Sequence, residues 1–221
     1  MPPTARPRGR PREFDATKAL DKAMEVFWKL GYEGASIAEL TEAMGITAPS
    51  LYAAFGSKAE LYRQALERYQ ADQGSFTARA LDEEPTARGA MERVLRESAK
   101  HFPRRKQLAG CMVSAAVLTC APENKPIAEH VAGLRAGALK RFEDCLRNGI
   151  AQGELPAETN ATAMARYFGA VIQGMTVQAQ DGASEAELLG IVEIAMQTWP
   201  APRPAGTRGT TRGKAPVGGS A

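Results

Sequence analysis

Three features of the sequence predict an all-α chain in two parts. Apolar residues recur at helical spacing through most of its length, and strand-like alternation is almost absent. Ser-x-x-Glu signals, in which a hydroxyl caps a helix start and a carboxylate reaches back, stand at Ser36/Glu39 and Ser57/Glu60. Glycine or proline closes nearly every periodic segment. With 221 residues there is room for a small three-helix domain and a second helical bundle of ordinary size.

Residues 1–14 are a Pro/Arg-rich arm with no apolar periodicity. Its Arg8-Gly9-Arg10-Pro11-Arg12 run has the form of an AT-hook core, whose arginines lie in a narrow A·T minor groove. Two readings of Arg8, Arg10 and Arg12 stand: minor-groove contacts, or a solvated basic tail that raises non-specific affinity. Asp15 is placed to cap a first helix, with Leu20, Ala23, Met24 and Phe27 as its buried stripe and Gly31 as its stop. Trp28 and Tyr32 are read as packing residues.

Ser36 opens a second, short helix with Ile37, Leu40 and Met44 on one face, and Gly45 follows where positive φ is needed. A third helix starts at Thr47, with Pro49 in its first turn, Leu51 and Phe55 inward, and Gly56 at its end. Ser57 caps a fourth helix, expected from Lys58 to about Leu81, with Leu61, Ala65, Leu66 and Tyr69 inward. Two short helices joined through a glycine, the second starting with small polar residues, describe a helix-turn-helix.

The run Ile46-Thr47-Ala48-Pro49-Ser50-Leu51-Tyr52, then Phe55, Ser57-Lys58 and Glu60-Leu61, resembles the DNA-binding domain of tetracycline-repressor-family (TetR/AcrR-type) regulators. The resemblance implies a dimer that binds a palindromic operator in double-stranded DNA. Thr47, Ala48, Pro49, Ser50 and Ala53 would then face base edges, and Ser36, Tyr52 and Lys58 would hold phosphates. Ala53 and Ala54 depart from many relatives, which carry larger aromatic or imidazole groups there. The third helix has no Arg or Lys, so specificity is expected to lean on groove shape and on the arm.

Further helices are expected over 91–102, 109–121, 127–152, 160–180 and 184–199, with breaks at Pro103, Pro122, Pro126, 153–156 and Asp181-Gly182. The domains read as 1–14 arm, 15–70 reading domain, 71–199 effector-binding and dimerisation domain, and 200–221 disordered tail. In the resembling family the last two helices pair with their mates. Ala163, Tyr167, Ala170, Val171 and Gly174, then Leu188, Ile191, Val192 and Ala195, suit that role.

The resemblance leaves the effector open among a small hydrophobic compound, an electrophile or oxidant, and a metal. Cys111 is expected to open a helix, where the positive helix end favours a thiolate, with His101 and Arg104-Arg105-Lys106 before it. The plain alternative is a buried apolar cysteine. A soft-metal site would draw on Cys111, Met112, Cys120, His101 or His130. On one straight helix, though, Cys111 and Cys120 lie about 180° apart. An apolar pocket would use Met91, Phe102, Met112, Leu118, Phe168 and Met175, for which core packing is the ordinary alternative.

The formal net charge is +3, but the arm and the tail hold the excess cations, so the body between them is net acidic and DNA attraction must be local. Three cysteines without zinc-like spacing argue for a reducing compartment, the cytoplasm. No apolar run is long enough for a membrane span, and no motif calls for a cofactor. Two histidines leave little for acid–base catalysis, so no enzymatic activity is expected; only Cys111 with His101 as base would supply one. The rival within DNA binding is an architectural minor-groove protein using arm and tail as clips.

Overall fold

The computed structural model describes residues 15–104, 107–116 and 120–200. The arm with Arg8, Arg10 and Arg12, residues 105–106, Leu118 and the tail after residue 200 lie outside the described residues. Among those described, every regular element is a helix.

Helix α1 (Ala16–Gly34) begins under the Asp15 carboxylate, which accepts from the Lys18 amide at 3.1 Å. Gly31, the expected stop, takes φ 71° and ψ 177°, so the helix kinks there before a last turn. Ser36 and Glu39 form a complete capping box at the start of α2 (Ile37–Met44), and Gly45 closes it with φ 67°. Thr47 caps α3 (Ala48–Phe55), which ends at Gly56. Leu40, Leu51, Leu61, Ala65 and Leu66 are fully buried where these helices meet α4 (Lys58–Ala71). At Ser57 the box is half formed: the hydroxyl accepts from the Glu60 amide, while the Glu60 carboxylate turns to Arg63.

One expectation fails at the end of α4. The fourth helix stops at Ala71, and α5 (Ser75–Glu83) starts afresh. The break is locally bonded: the Gly74 amide reaches back to the Tyr69 carbonyl at 2.8 Å, and the Ser75 hydroxyl donates to the Asp72 carbonyl at 2.6 Å. These bonds compete with the helical ladder, as serine hydroxyls next to a glycine readily do.

Helices α6 (Ala87–His101), α8 (Lys125–Ala151), α9 (Ala161–Gln180) and α10 (Glu185–Gln197) form the second half. Thr86, Asn160 and Ser184 cap three of them, Ser184 with a complete box to Glu187. The helix expected over 109–121 is a second correction. Among the described residues of that span only α7 (Met112–Ala115) forms, one turn long, followed by a 3-10 turn at Pro122–Asn124. Arg135 of α8 explains part of this, because its Nη1 donates to the carbonyls of Val113 and Ala116. Cys111 and Cys120 therefore do not lie on opposite sides of one helix: Cys111 stands before α7 and Cys120 beyond it.

There are two cores. One joins α1–α4 and takes in Met112, Val113 and Ala116 with Ile127 and Val131 of α8. The other is built by α5, α6, α8, α9 and α10 around Met91, Leu95, Phe168, Met175 and Leu188. Cys111 packs against both. Glu33, just past the kink in α1, accepts from the Ala121 amide at 2.9 Å and from Asn124 Nδ2 at 2.8 Å, tying the first half to the entry of α8. No described helix is long and apolar enough to cross a membrane.

Candidate nucleic-acid interface and central cavity

Helix α3 presents its outer face to solvent because Leu51 and Phe55 anchor the inner one. Thr47, Pro49, Ser50, Tyr52, Ala53 and Ala54 are exposed, and Ala48 is half-buried. Tyr52, one residue past Leu51, is among the exposed large side chains at 47%. The Thr47 and Ser50 hydroxyls lie 2.9 Å apart, and Thr47 Oγ1 also caps the Ser50 amide. Ser50 is thus the helix's freer hydroxyl, flanked by small apolar groups that fit thymine methyls.

The residues expected on phosphates stand differently from one another. Lys58 is half-buried, with Nζ 4.5 Å from the centroid of the Tyr32 ring. Its pKa is lowered by burial, against the opposing pull of Glu33 and Glu39. Ser36 is exposed, but its hydroxyl already donates to Glu39 Oε2 at 2.7 Å and accepts from the Glu39 amide. It reaches a phosphate only by giving up part of its cap.

Behind this head lies a cavity of about 470 Å³, reached between α4, α5, α6, α8 and α9. Phe76, Phe102, Leu139, Phe142 and Ile172 form apolar wall, and Cys111, Ser98, Ser114 and Arg135 bring polar groups to it. Of the residues expected around an effector, only Phe102 and Cys111 line it. Met91, Phe168 and Met175 are fully buried in the second core, and Met112 is buried in the first. His101 lines a separate pocket of about 200 Å³ with Trp28 and Tyr69, and stacks on Phe76 at 5.0 Å. Burial, first, and then the nearby Arg104 lower the His101 pKa. Among the described residues no three His, Cys, Asp or Glu side chains cluster as a metal site would require.

Cys111 caps only the one-turn α7, so the expected helix dipole is not available to it. Its amide donates to Thr176 Oγ1 of α9 at 3.3 Å, and its thiol lies against the buried Tyr69 hydroxyl of α4. Burial, and then Cys111, push the Tyr69 pKa well above its ordinary value. Sequence reading missed Arg135 and Tyr69 as cavity residues. Arg135 was detectable in principle, since it falls one turn after Val131 and two before Phe142, on the apolar stripe of α8.

The faces of α9 and α10 divide more sharply than expected. Ala163, Tyr167, Ala170 and Gly174 are exposed, and Val177 and Ile194, at 53% and 67%, extend the apolar stripe. Leu188, Val192 and Ala195 instead face the protein's own core, with Val171 and Ile191 half-buried between.

Comparison with known proteins matches both halves. The family described as "Bacterial regulatory proteins, tetR family" fits residues 19–65, and "Tetracyclin repressor-like, C-terminal domain" fits residues 89–188. The chain is 35% identical over 194 residues to the HTH-type transcriptional repressor ComR of Escherichia coli (strain K12), covering 87% of this chain and 92% of that one. It is 29% identical over 187 residues to the repressor BdcR of the same organism, covering 85% and 90%. Among solved structures, a cysteine-substituted TetR family transcriptional regulator CifR complexed with 26bp double-strand operator DNA is similar at 43% identity. That structure matches with a TM-score of 0.82, covering 87% of this chain and all of that chain.

Proposed function

Since the chain belongs to the tetR family of bacterial regulatory proteins, we propose that it is a dimeric transcriptional repressor of the cytoplasm, released from a two-fold operator by an effector bound in the central cavity. The exposed face of α3, held out by buried Leu51 and Phe55, is the observation that carries this reading. Ser50, with Ala48, Pro49 and Ala53, reads base edges from the major groove, Thr47 sets the helix start, and Tyr52 and Lys58 take phosphates. The names of ComR and BdcR support repression as the sign, and the operator complex of CifR supports double-stranded DNA as the partner.

Residues 15–70 serve as the reading domain and 71–199 as the effector-binding and dimerisation domain. The arm adds cations that α3 lacks. The exposed stripe Tyr167, Ala170, Gly174, Val177 and Ile194 is the surface on which two copies meet. Effector signals pass from the cavity to α4 through Cys111, which touches Tyr69 on one side and Thr176 on the other.

Fluorescence anisotropy on an operator enriched from the source genome tests the reading, before and after addition of one equivalent of a thiol-modifying reagent. Release by the modified protein but not by a Cys111→Ser variant would make Cys111 the sensor itself. Undiminished binding would leave Cys111 as a wall residue and the cavity as a non-covalent site. No operator enriched above background would overturn the proposal.

A further inference from the structure

We propose that the central cavity takes an organic anion with an apolar body, a carboxylate, and that Arg135 holds its charge; this rests on the reading of that cavity as the effector site. The described walls include no Asp or Glu but two guanidinium groups, Arg135 and Arg141. Arg141 is exposed and already paired with Asp82 at 2.7 Å. Arg135 is half-buried and has no carboxylate partner among the described residues.

The bonds that Arg135 makes use one end of its guanidinium. Its Nη1 donates to the Val113 carbonyl at 3.3 Å and to the Ala116 carbonyl at 2.8 Å. A guanidinium has five N–H donors and stays charged at any working pH. With Nη1 committed, the remaining edge of Nε and Nη2 is the one that grips both oxygens of a carboxylate side by side. A charge withdrawn from water without a counter-ion is costly, and an anionic ligand removes that cost where a neutral one of the same shape does not. Phe76, Phe142, Leu139 and Ile172 supply the apolar surround for the rest of the molecule.

The same contacts give the ligand a path to the reading head. Arg135 holds two carbonyls of the α7 segment, those of Val113 and Ala116, and Cys111 and Met112 at its start lie against Tyr69 of α4. A carboxylate that draws on the guanidinium therefore acts on the piece of chain that supports α4.

Octanoate, octan-1-ol and octylamine share one apolar chain and differ only in the head group. Calorimetric titration of the full chain near neutral pH should find octanoate bound roughly 10- to 100-fold more tightly than octan-1-ol, the difference expected of a charged hydrogen-bonded pair. Octylamine should bind more weakly still, and octanoate should release the operator complex. Arg135→Lys keeps a charge but loses the paired donors, and should weaken octanoate about tenfold while leaving octan-1-ol unchanged. Because Arg135 also braces α7, the comparison of acid with alcohol on the unaltered chain decides the matter if that variant fails to fold. Equal binding of acid and alcohol, or binding of neither, by a chain that still holds its operator would overturn the inference. A chain that never holds an operator would overturn instead the regulator reading beneath it.

Discussion

In the proposed reading, Lys58 is the residue on which DNA affinity and protein structure meet. The ammonium lies over the Tyr32 ring, with Glu33 and Glu39 near enough to influence its charge. Neutralising one phosphate contact lowers the salt dependence of binding by a predictable step. Lys58→Ala should therefore weaken operator binding about tenfold at low salt and reduce the slope of log affinity against log salt by about 1. Gly110 makes a different single-residue claim. It has φ 80°, and a Cβ there would stand 2.6 Å from Thr176 Cγ2 and 2.9 Å from the Thr176 carbonyl oxygen. Gly110→Ala combines a left-handed backbone with that clash, and should cost about 2 kcal/mol or more in a urea unfolding experiment.

At the scale of single helices, two of the caps carry a titratable group. Glu39 and Glu187 are held below the ordinary carboxylate value of 4.5 by hydrogen bonds from Ser36 and Ser184. A lowered folded-state pKa means that the contribution is fully present above about 4.5 and is lost as pH falls through the lower value. A Glu39→Gln/Glu187→Gln variant should be less stable than the parent at pH 7, and the gap in urea midpoints should narrow as pH falls from about 4.5 through the lowered values. The caps at Asp15, Ser36 and Ser57 were legible in the sequence because each depends on one short side chain at a fixed offset. The break after α4 and the loss of the helix over 109–121 were not. The turn holds Gly74 and Ser75, but the apolar spacing runs on past it to Leu81 and masks the break, and the carbonyls of Val113 and Ala116 are taken by an arginine about twenty residues away. The same limit hid the cavity. Met91, Phe168 and Met175 have the composition of a ligand pocket but fill the core, and only packing separates those roles.

For the whole molecule, the arrangement of surfaces follows from two cores joined through the Cys111 segment and the Glu33 contacts. The exposed face of α3 lies on the half built around the first core, and the exposed stripe of α9 and α10 on the other. Ile194 projects furthest from that stripe, and Tyr167 is exposed while its ring makes an edge contact with buried Phe168. If two copies meet through this stripe, as proposed, the parent should sediment as a dimer, and a Tyr167→Glu/Ile194→Glu variant should sediment as a folded monomer and lose operator affinity with it. Removing residues 2–12 should also lower operator affinity, since the recognition helix carries no cation of its own. The most direct test of the account is a footprint on the enriched operator. A repressor reading DNA through α3 should protect a short two-fold site, with half-sites about 34 Å apart, and Lys58→Ala should raise about tenfold the protein concentration needed for that protection at low salt. Diffuse protection of A·T-rich DNA that survives Lys58→Ala but disappears with the arm would contradict it.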